Sequence, residues 1–558
     1  MSRKGSVLGT AMLASVMLLS ACGGNSSGNN SGNAASEGDS TTPAVEKVNE
    51  FGWKLPQKTT QIHFFQAEKG NPDKINKKQA AFHDYLLKEF NVDMQRSSLD
   101  VDPKEKLNLM LVSGDYPEVI AAMDESQISQ WKAQGKIIDL APLVDKYGPN
   151  LKKELGSRYE TYLDADGKLW GLPRGWGYLP IPDFTAHIRW DWYQEIGAPE
   201  IKTPDDYYNV LKQIVAKHPT NAKGEKNYAL SWNSDVRIDS ALGFWGLKDG
   251  YKEDGDHNLT HWLNTAEGKE GLLYYNRFFR EGLMDPDAFI NKFDDWKIKF
   301  SNERIAGHIG PWWQSWNAGH EIWQKTDPDY KEDKRFVQMA FKAPDAEKAY
   351  LSAKNTHGWN YTVVTDKAKN AEEIIKFLDF TVSPIGTRLM GWGIPNLPES
   401  YWNYEGDGKW SFNETQKQTL LDGKLDFEKT ETANGSNSFW LAYPQGLLSD
   451  DNKSTAWFDQ NFIADEKWKK LMNDNVKDTI YDNTEQRVSF TNENPLTIKN
   501  QQVEDLIKTG FVKVIMSQSE DEASRNFDEL RDKANKLGLK DLEQYRTEEY
   551  KKNLALVK

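Results

Sequence analysis

With one cysteine in 558 residues, Cys22, the chain has no disulfide, no CxxC redox pair and no thiolate metal site. Long apolar runs are equally scarce. After the amino-terminal stretch, no segment reaches the roughly 18 consecutive apolar residues of a membrane-spanning helix. A basic excess is missing too: 70 Lys and Arg face 84 Asp and Glu, a formal net charge of −14 at pH 7. Nucleic acid and anionic lipid select basic surfaces, so neither is expected as a partner. HExxH, GxSxG, a P-loop and the dinucleotide fingerprint do not occur. No internal repeat of about 20–50 residues is visible. Aromatics are what the chain has in excess: 21 Trp, 22 Tyr and 24 Phe, at a low mean hydropathy. Core packing must absorb most of these rings, yet aromatics without matching aliphatic richness suggest that some serve a surface. Sugar rings offer apolar C–H faces that stack on Trp.

Cys22 closes Leu19-Ser20-Ala21-Cys22, after a basic start (Arg3, Lys4) and an apolar run from Val7 to Leu19. That order reads as a secretory signal over 1–21, and small residues before a cysteine resemble the bacterial lipobox. In that motif the signal is removed and the thiol takes a diacylglycerol. Residues 22–50 are rich in Gly, Asn, Ser and acid, too polar to offset their ordering entropy, and read as a flexible tether. A coil of that length reaches on the order of 30 Å. The expected address is the extracytoplasmic face of the cell membrane, lipid-anchored on a Gram-positive surface.

Beyond the tether, strand and helix patterns alternate, which implies parallel α/β sheets. Gln61–Phe65 reads as a strand, Ile75–Phe90 as a helix and Val92–Met94 as a strand. A helix over Pro103–Val112 is broken at Ser113-Gly114-Asp115-Tyr116-Pro117, and Glu118–Ala122 follows as a buried strand. The pattern resets after Tyr178. Lys202-Thr203-Pro204-Asp205-Asp206 is a helix start, with Thr203 as N-cap and Pro204 at the first helical position. The helix it opens runs to Lys217; another covers about 265–281 and a third about 371–380. Strands are expected at Ile305–Ile309, Phe336–Met339 and Trp359–Val364, and the segment from Asp465 onward is expected to be mostly helical.

The order of these pieces resembles a family: the extracellular solute-binding lipoproteins of carbohydrate ABC transporters, of the maltose-binding-protein-like group and its long Gram-positive type. The carrying residues are Ser113 to Ile120, Asp166-Gly167-Lys168-Leu169-Trp170-Gly171-Leu172-Pro173, Arg189-Trp190-Asp191-Trp192 with Lys202 to Tyr207, Glu281 to Pro286, and Glu303 to Trp312. The resemblance implies an α/β, two-lobed periplasmic-binding-protein-like fold of type II. Each lobe would be a mostly parallel sheet flanked by helices, with hinge crossings between the lobes. It implies a first lobe of 51–180 with 358–440 and a second of 181–357 with 441–558. The implied function is capture of an oligosaccharide in the cleft and delivery to permease subunits, by a monomer without catalytic activity or cofactor.

Ligands of open α/β sheets bind beyond the carboxyl ends of strands, which nominates residues independently. Glu68 and Lys69 follow the first strand and resemble an acid–lysine–glycine turn that holds sugar hydroxyls in the maltose-binding protein; a solvated pair is the alternative. Asp124 and Glu125 follow the strand ending at Ala122, with the same alternative. In Arg174-Gly175-Trp176-Gly177-Tyr178, a Trp between two glycines has little local packing, so the cleft is favoured over the core. Trp312, Trp313 and Trp316 follow a buried strand, cannot all face one core, and Trp312 matches the family's stacking Trp. Trp232 with Asp235 and Arg237 is a second-lobe candidate against an equal core reading. Trp359 and Asn360 lie where the family's second crossing belongs, and Trp359 either packs the hinge or meets ligand. Neutral sugars are favoured by the acidic balance, although an Arg174–Arg237 pocket would admit a uronic acid.

No metal is expected. Some relatives carry a calcium loop after the second-lobe helix; here Lys217 to Glu225 holds one carboxylate and two lysines, too few hard oxygens for Ca²⁺. Asp164-Ala165-Asp166-Gly167 and Asp254-Gly255-Asp256 read as turns. Two rival functions stay open: a secreted glycoside-active enzyme, which would also be acidic and Trp-rich, and a sugar-sensing surface protein without a transport role.

Overall fold

The computed structural model describes residues 47–68, 72–98, 101–177, 182–352, 356–421, 439–445, 466–490 and 494–557. Cys22, the signal and residues 22–46 therefore lie outside the described residues, as do Lys69 and Tyr178, whereas residues 47–50, expected in the tether, join the folded body: Val48 bridges Lys54 and Asn49 Nδ2 donates to Glu89 O at 2.9 Å.

Strand Thr60–Gln66 pairs in parallel with Val92–Ser97 and with Val119–Met123. The helices that connect them start and stop where local chemistry dictates. Helix Pro103–Ser113 is capped by Asp102, whose carboxylate accepts the N–H groups of Lys104 and Glu105, and it ends on Gly114 in the left-handed region. Leu107, Met110 and Leu111 are its buried face. The sheet is completed by His357–Val364, Leu172–Trp176 and Tyr443–Pro444, giving six strands. His357–Val364 runs antiparallel to both Val119–Met123 and Leu172–Trp176, while Tyr443–Pro444 is parallel to the latter.

The second sheet has four strands in the order Phe336–Met339, Phe184–Arg189, Ile305–Pro311, Tyr228–Leu230. Only the last pair is parallel. The alternation of strand and helix patterns implies a mostly parallel sheet here. The chain instead enters along Phe184–Arg189 in the middle and is flanked there by two strands of opposite direction. Helix Pro204–Lys217 covers this sheet, opened by the expected Thr203 cap; Asp206 reaches back to the Thr203 N–H at 2.9 Å, a capping box.

Each sheet has its own core. One gathers Phe64, Phe82, Trp176, Phe377, Trp402 and Tyr443; the other gathers Trp232, Tyr275, Phe341, Phe527 and Leu542. The chain is thus two-lobed, with helices Thr497–Ile515, Glu520–Leu537 and Leu539–Val557 extending the second core. Residues 441–444, expected in the second lobe, belong to the first, because Tyr443 and Pro444 continue its sheet. At the crossings, the Gly177 N–H donates to Thr356 O at 2.9 Å and the Gln445 N–H to Trp176 O at 2.6 Å. Thr356 Oγ1 donates to Asn483 Oδ1 at 2.9 Å, and Asn483 Nδ2 to Asp249 Oδ2 at 3.3 Å.

Candidate functional site

Among the described residues the first lobe offers one exposed tryptophan, and it is built by a bulge. Pairing between Leu172–Trp176 and His357–Val364 shifts register between His357 and Asn360, so Trp359 leaves the regular pleat. Two glycines with positive φ make room. A Cβ on Gly358 (φ +80°) would lie 2.3 Å from the Arg174 carbonyl oxygen, and one on Gly175 (φ +75°) would lie 2.9 Å from the Trp359 ring. Trp359 therefore rests on the bare backbone of Gly175, with 43% of its surface open.

Tyr443 joins this ring to a polar cluster, with ring centroids 6.0 Å apart. The buried Arg174 guanidinium donates from Nη1 to Asn360 Oδ1 (3.1 Å) and Glu68 Oε1 (3.3 Å), and from Nε to Trp440 O (3.3 Å). It also lies 5.7 Å from the Tyr443 ring centroid. Its charge is committed within the protein, so its role is to orient Glu68 and Asn360. Glu68 remains half exposed, with carboxylate lone pairs left for hydroxyl protons. Arg96 stands near the same group; burial lowers its pKa to about 10, with Glu68 opposing and Arg174 reinforcing the shift.

The second lobe presents its rings from one helical turn. Strand Ile305–Pro311 runs into Trp312–Ser315, followed by a π-helical turn over Trp316–His320. Positions 312, 313 and 316 share a helix face by their three- and four-residue spacing. Trp312 is half-buried, Trp313 is 39% exposed and Trp316 40% exposed. Gln314 and Ser315 point inward and are buried. Trp313 leans on Phe293, with ring centroids 5.5 Å apart.

Several nominated residues do other work. Trp176, nominated for the cleft, is fully buried and donates its Nε1–H to Glu154 O at 3.2 Å. Its flanking glycines serve Trp359 and the chain crossing instead. Trp232 is buried at 1% exposure, packed on Tyr275 and bonded to Ile309 O at 2.7 Å. Asp235 and Arg237 are exposed. Asp124 caps helix Glu125–Ala133 through Gln127. The Glu125 carboxylate is taken by Arg487 Nη2 (2.8 Å), Ser489 Oγ (2.6 Å) and Tyr361 Oη (3.0 Å). Burial pushes Glu125 up, but Arg487 and the two hydroxyls outweigh it and hold the carboxyl below its usual range.

At Lys217 to Glu225 the turn is organised by Asn221. Its Oδ1 accepts the N–H groups of Lys223 and Glu225, both at 3.0 Å, and its Nδ2 donates to Glu225 Oε2 at 2.7 Å. Asp164 organises its own turn in the same way, accepting from the Asp166 and Lys168 N–H groups. Among the described residues no group of three or more His, Cys, Asp or Glu is placed to hold a metal ion. No helix among them is long and apolar enough to cross a membrane.

Sequence relatives agree with this architecture. The chain is 26% identical over 410 residues to the fructooligosaccharide ABC transporter substrate-binding protein FusA of Streptococcus pneumoniae, covering 70% of each chain. It is 22% identical over 367 residues to the polygalacturonan/rhamnogalacturonan-binding protein YtcQ of Bacillus subtilis, covering 63% of this chain and 70% of that one. A solved structure of S. pneumoniae FusA, an EF-hand mutant in complex with fructo-nystose, superposes with a TM-score of 0.65 at 19% identity. That match covers 89% of this chain and all of the other. No protein-family profile matches. In sequence the chain is thus similar over most of its length to substrate-binding proteins of this kind, and it shares the two-lobed fold of the solved one.

Proposed function

We propose that this protein captures an oligosaccharide between its two lobes and hands it to the permease subunits of an ABC transporter, without transforming it. The observation that carries the reading is the Trp359 platform: an exposed ring seated on Gly175, next in its strand to Asn360, which is bonded to Arg174 and through it to Glu68. A flat apolar face with hydroxyl acceptors beside it is what a pyranose or furanose ring requires. Trp312, Trp313 and Trp316 supply the opposing face, so closure of the lobes sandwiches the sugar, and affinity includes the open-to-closed shift.

Cys22 anchors the chain by a lipid, with residues 22–46 as tether. Cys22→Ser is expected to release the protein from the membrane with sugar binding intact. A panel of fructo-, galacturono-, alginate and neutral plant oligosaccharides, read by thermal shift, tests the function, since a ligand of the folded state raises its melting temperature. A stabilising sugar recovered unchanged after prolonged incubation is the expected outcome. Cleavage products would favour a glycosidase, and no stabilisation by any sugar would contradict the proposal.

A further inference from the structure

Beneath the Trp-bearing turn lie two fully buried histidines that the sugar-binding reading does not use. His187 and His308 face each other across the Phe184–Arg189 and Ile305–Pro311 strands, with rings 5.6 Å apart. His187 reaches both ends of the turn. Its Nε2 lies 3.1 Å from Gly310 O and its Nδ1 lies 3.2 Å from Ser315 Oγ. A carbonyl only accepts, so Nε2 carries the proton and Nδ1 is the bare acceptor, which receives the Ser315 hydroxyl. Ser315 Oγ also lies 3.1 Å from Trp312 O and shares its proton with that carbonyl.

His308 braces the first end by contact. A Cβ on Gly310 would lie 2.3 Å from His308 Nε2 and 3.1 Å from Gln314 Oε1, so only glycine fits between them. The Trp312 N–H is tied to Asp183 O at 3.1 Å. Gln314 and Ser315 thus point inward, and Trp313 and Trp316 are left the most exposed. Backbone bonds hold the turn from within, the Trp316 N–H donating to Trp312 O and Trp313 O, and the imidazole holds it from below.

We infer that His187 is a positioning residue: it clasps Gly310 and Ser315 from below and fixes Trp312, Trp313 and Trp316 as a preformed face for sugar. This inference rests on the reading of that face as a sugar-binding surface, but the clasp can be tested without sugar. Protein labelled with 5-fluorotryptophan gives ¹⁹F resonances assignable by single Trp→Phe replacements. Ser315→Ala and His187→Ala are each expected to shift or broaden the resonances of Trp312, Trp313 and Trp316 and to leave Trp359 unmoved. His187→Gln, which keeps a donor and an acceptor, is expected to restore them in part. The double variant is expected to look no worse than His187→Ala, because both remove one contact. Should His187→Ala fail to fold, Ser315→Ala and His187→Gln carry the test.

Unchanged resonances for the three Trp in Ser315→Ala would overturn the inference, as would a shift spread equally to Trp359. A kestose or trigalacturonate titration separates this from the parent reading. Ser315→Ala should bind about five- to tenfold more weakly, the scale of one lost hydrogen bond. A Trp312→Ala variant that binds as well as wild type, in a protein whose ¹⁹F spectrum confirms the clasp, would count against the sugar reading and leave the clasp standing.

Discussion

The two lobes bring tryptophan to the surface by different means. On the first lobe a single ring, Trp359, is lifted by a strand bulge and laid on Gly175, a residue of the neighbouring strand. On the second, three rings leave one helical turn whose polar side chains are drawn inward by His187 and His308. The first platform depends on close backbone approach, where one added methyl is decisive. The second depends on buried hydrogen bonds, where protonation is decisive. The platforms should therefore fail under different insults.

Trp176 and Trp359 give the sharpest contrast, since both lie on the paired strands of the first sheet. Trp176→Ala empties a fully buried site and is expected to cost about 3–5 kcal/mol of stability, read as a lower midpoint in urea. The fraction that stays folded should bind sugar normally. Gly175→Ala does the reverse. A Cβ 2.9 Å from the Trp359 ring, at φ +75°, must displace that ring, with binding expected to fall by at least about tenfold, roughly 1.4 kcal/mol. A Gly175→Ala protein of undiminished affinity would break the comparison on the first-lobe side.

Acid tests the second lobe. Burial lowers the His187 pKa to about 4 and that of His308 to about 3, the latter also opposed by the His187 charge. Both stay neutral in the folded state while the unfolded chain binds protons below its ordinary histidine pKa near 6.5. The stability they contribute is complete above about pH 6.5 and is lost as pH falls toward 4, on the order of 1 kcal/mol per pH unit for each. Melting temperatures between pH 7 and 4.5 should fall accordingly, and His308→Gln, if folded, should flatten the slope. A slope unchanged by that substitution would remove His308 from the account. The smallest effect is expected at Asp124. Asp124→Ala loses an N-cap worth about 1 kcal/mol, visible in melting, with sugar affinity unchanged because the carboxylate is spent on Gln127.

Much of the frame was readable from local chemistry. Thr203-Pro204-Asp205-Asp206 announces its helix because cap, proline and acids act within one turn. Gly114 ends its helix for an equally local reason. Trp312, Trp313 and Trp316 were legible as a group because three large rings crowd five residues directly after a buried strand. What failed depended on distant partners. Glycines around Trp176 look like an exposed ring's setting until His357–Val364 is laid beside them, and only then does Gly175 prove to be the floor under Trp359. Glu125 looks like a free carboxylate because its strand position is visible while the return of Arg487 and Ser489 is not. The second sheet's antiparallel pairs were likewise hidden, since apolar strand patterns do not encode direction.

The account stands most directly on Trp359. A calorimetric titration of Trp359→Ala, with the sugar that raises the wild-type melting temperature most, decides it. Affinity is expected to fall at least about tenfold, with the melting temperature of the unliganded protein falling less than in Trp176→Ala, because 43% of that ring already faces solvent while Trp176 is fully buried. Wild-type affinity in a folded Trp359→Ala protein would contradict the platform and, with it, the site proposed here.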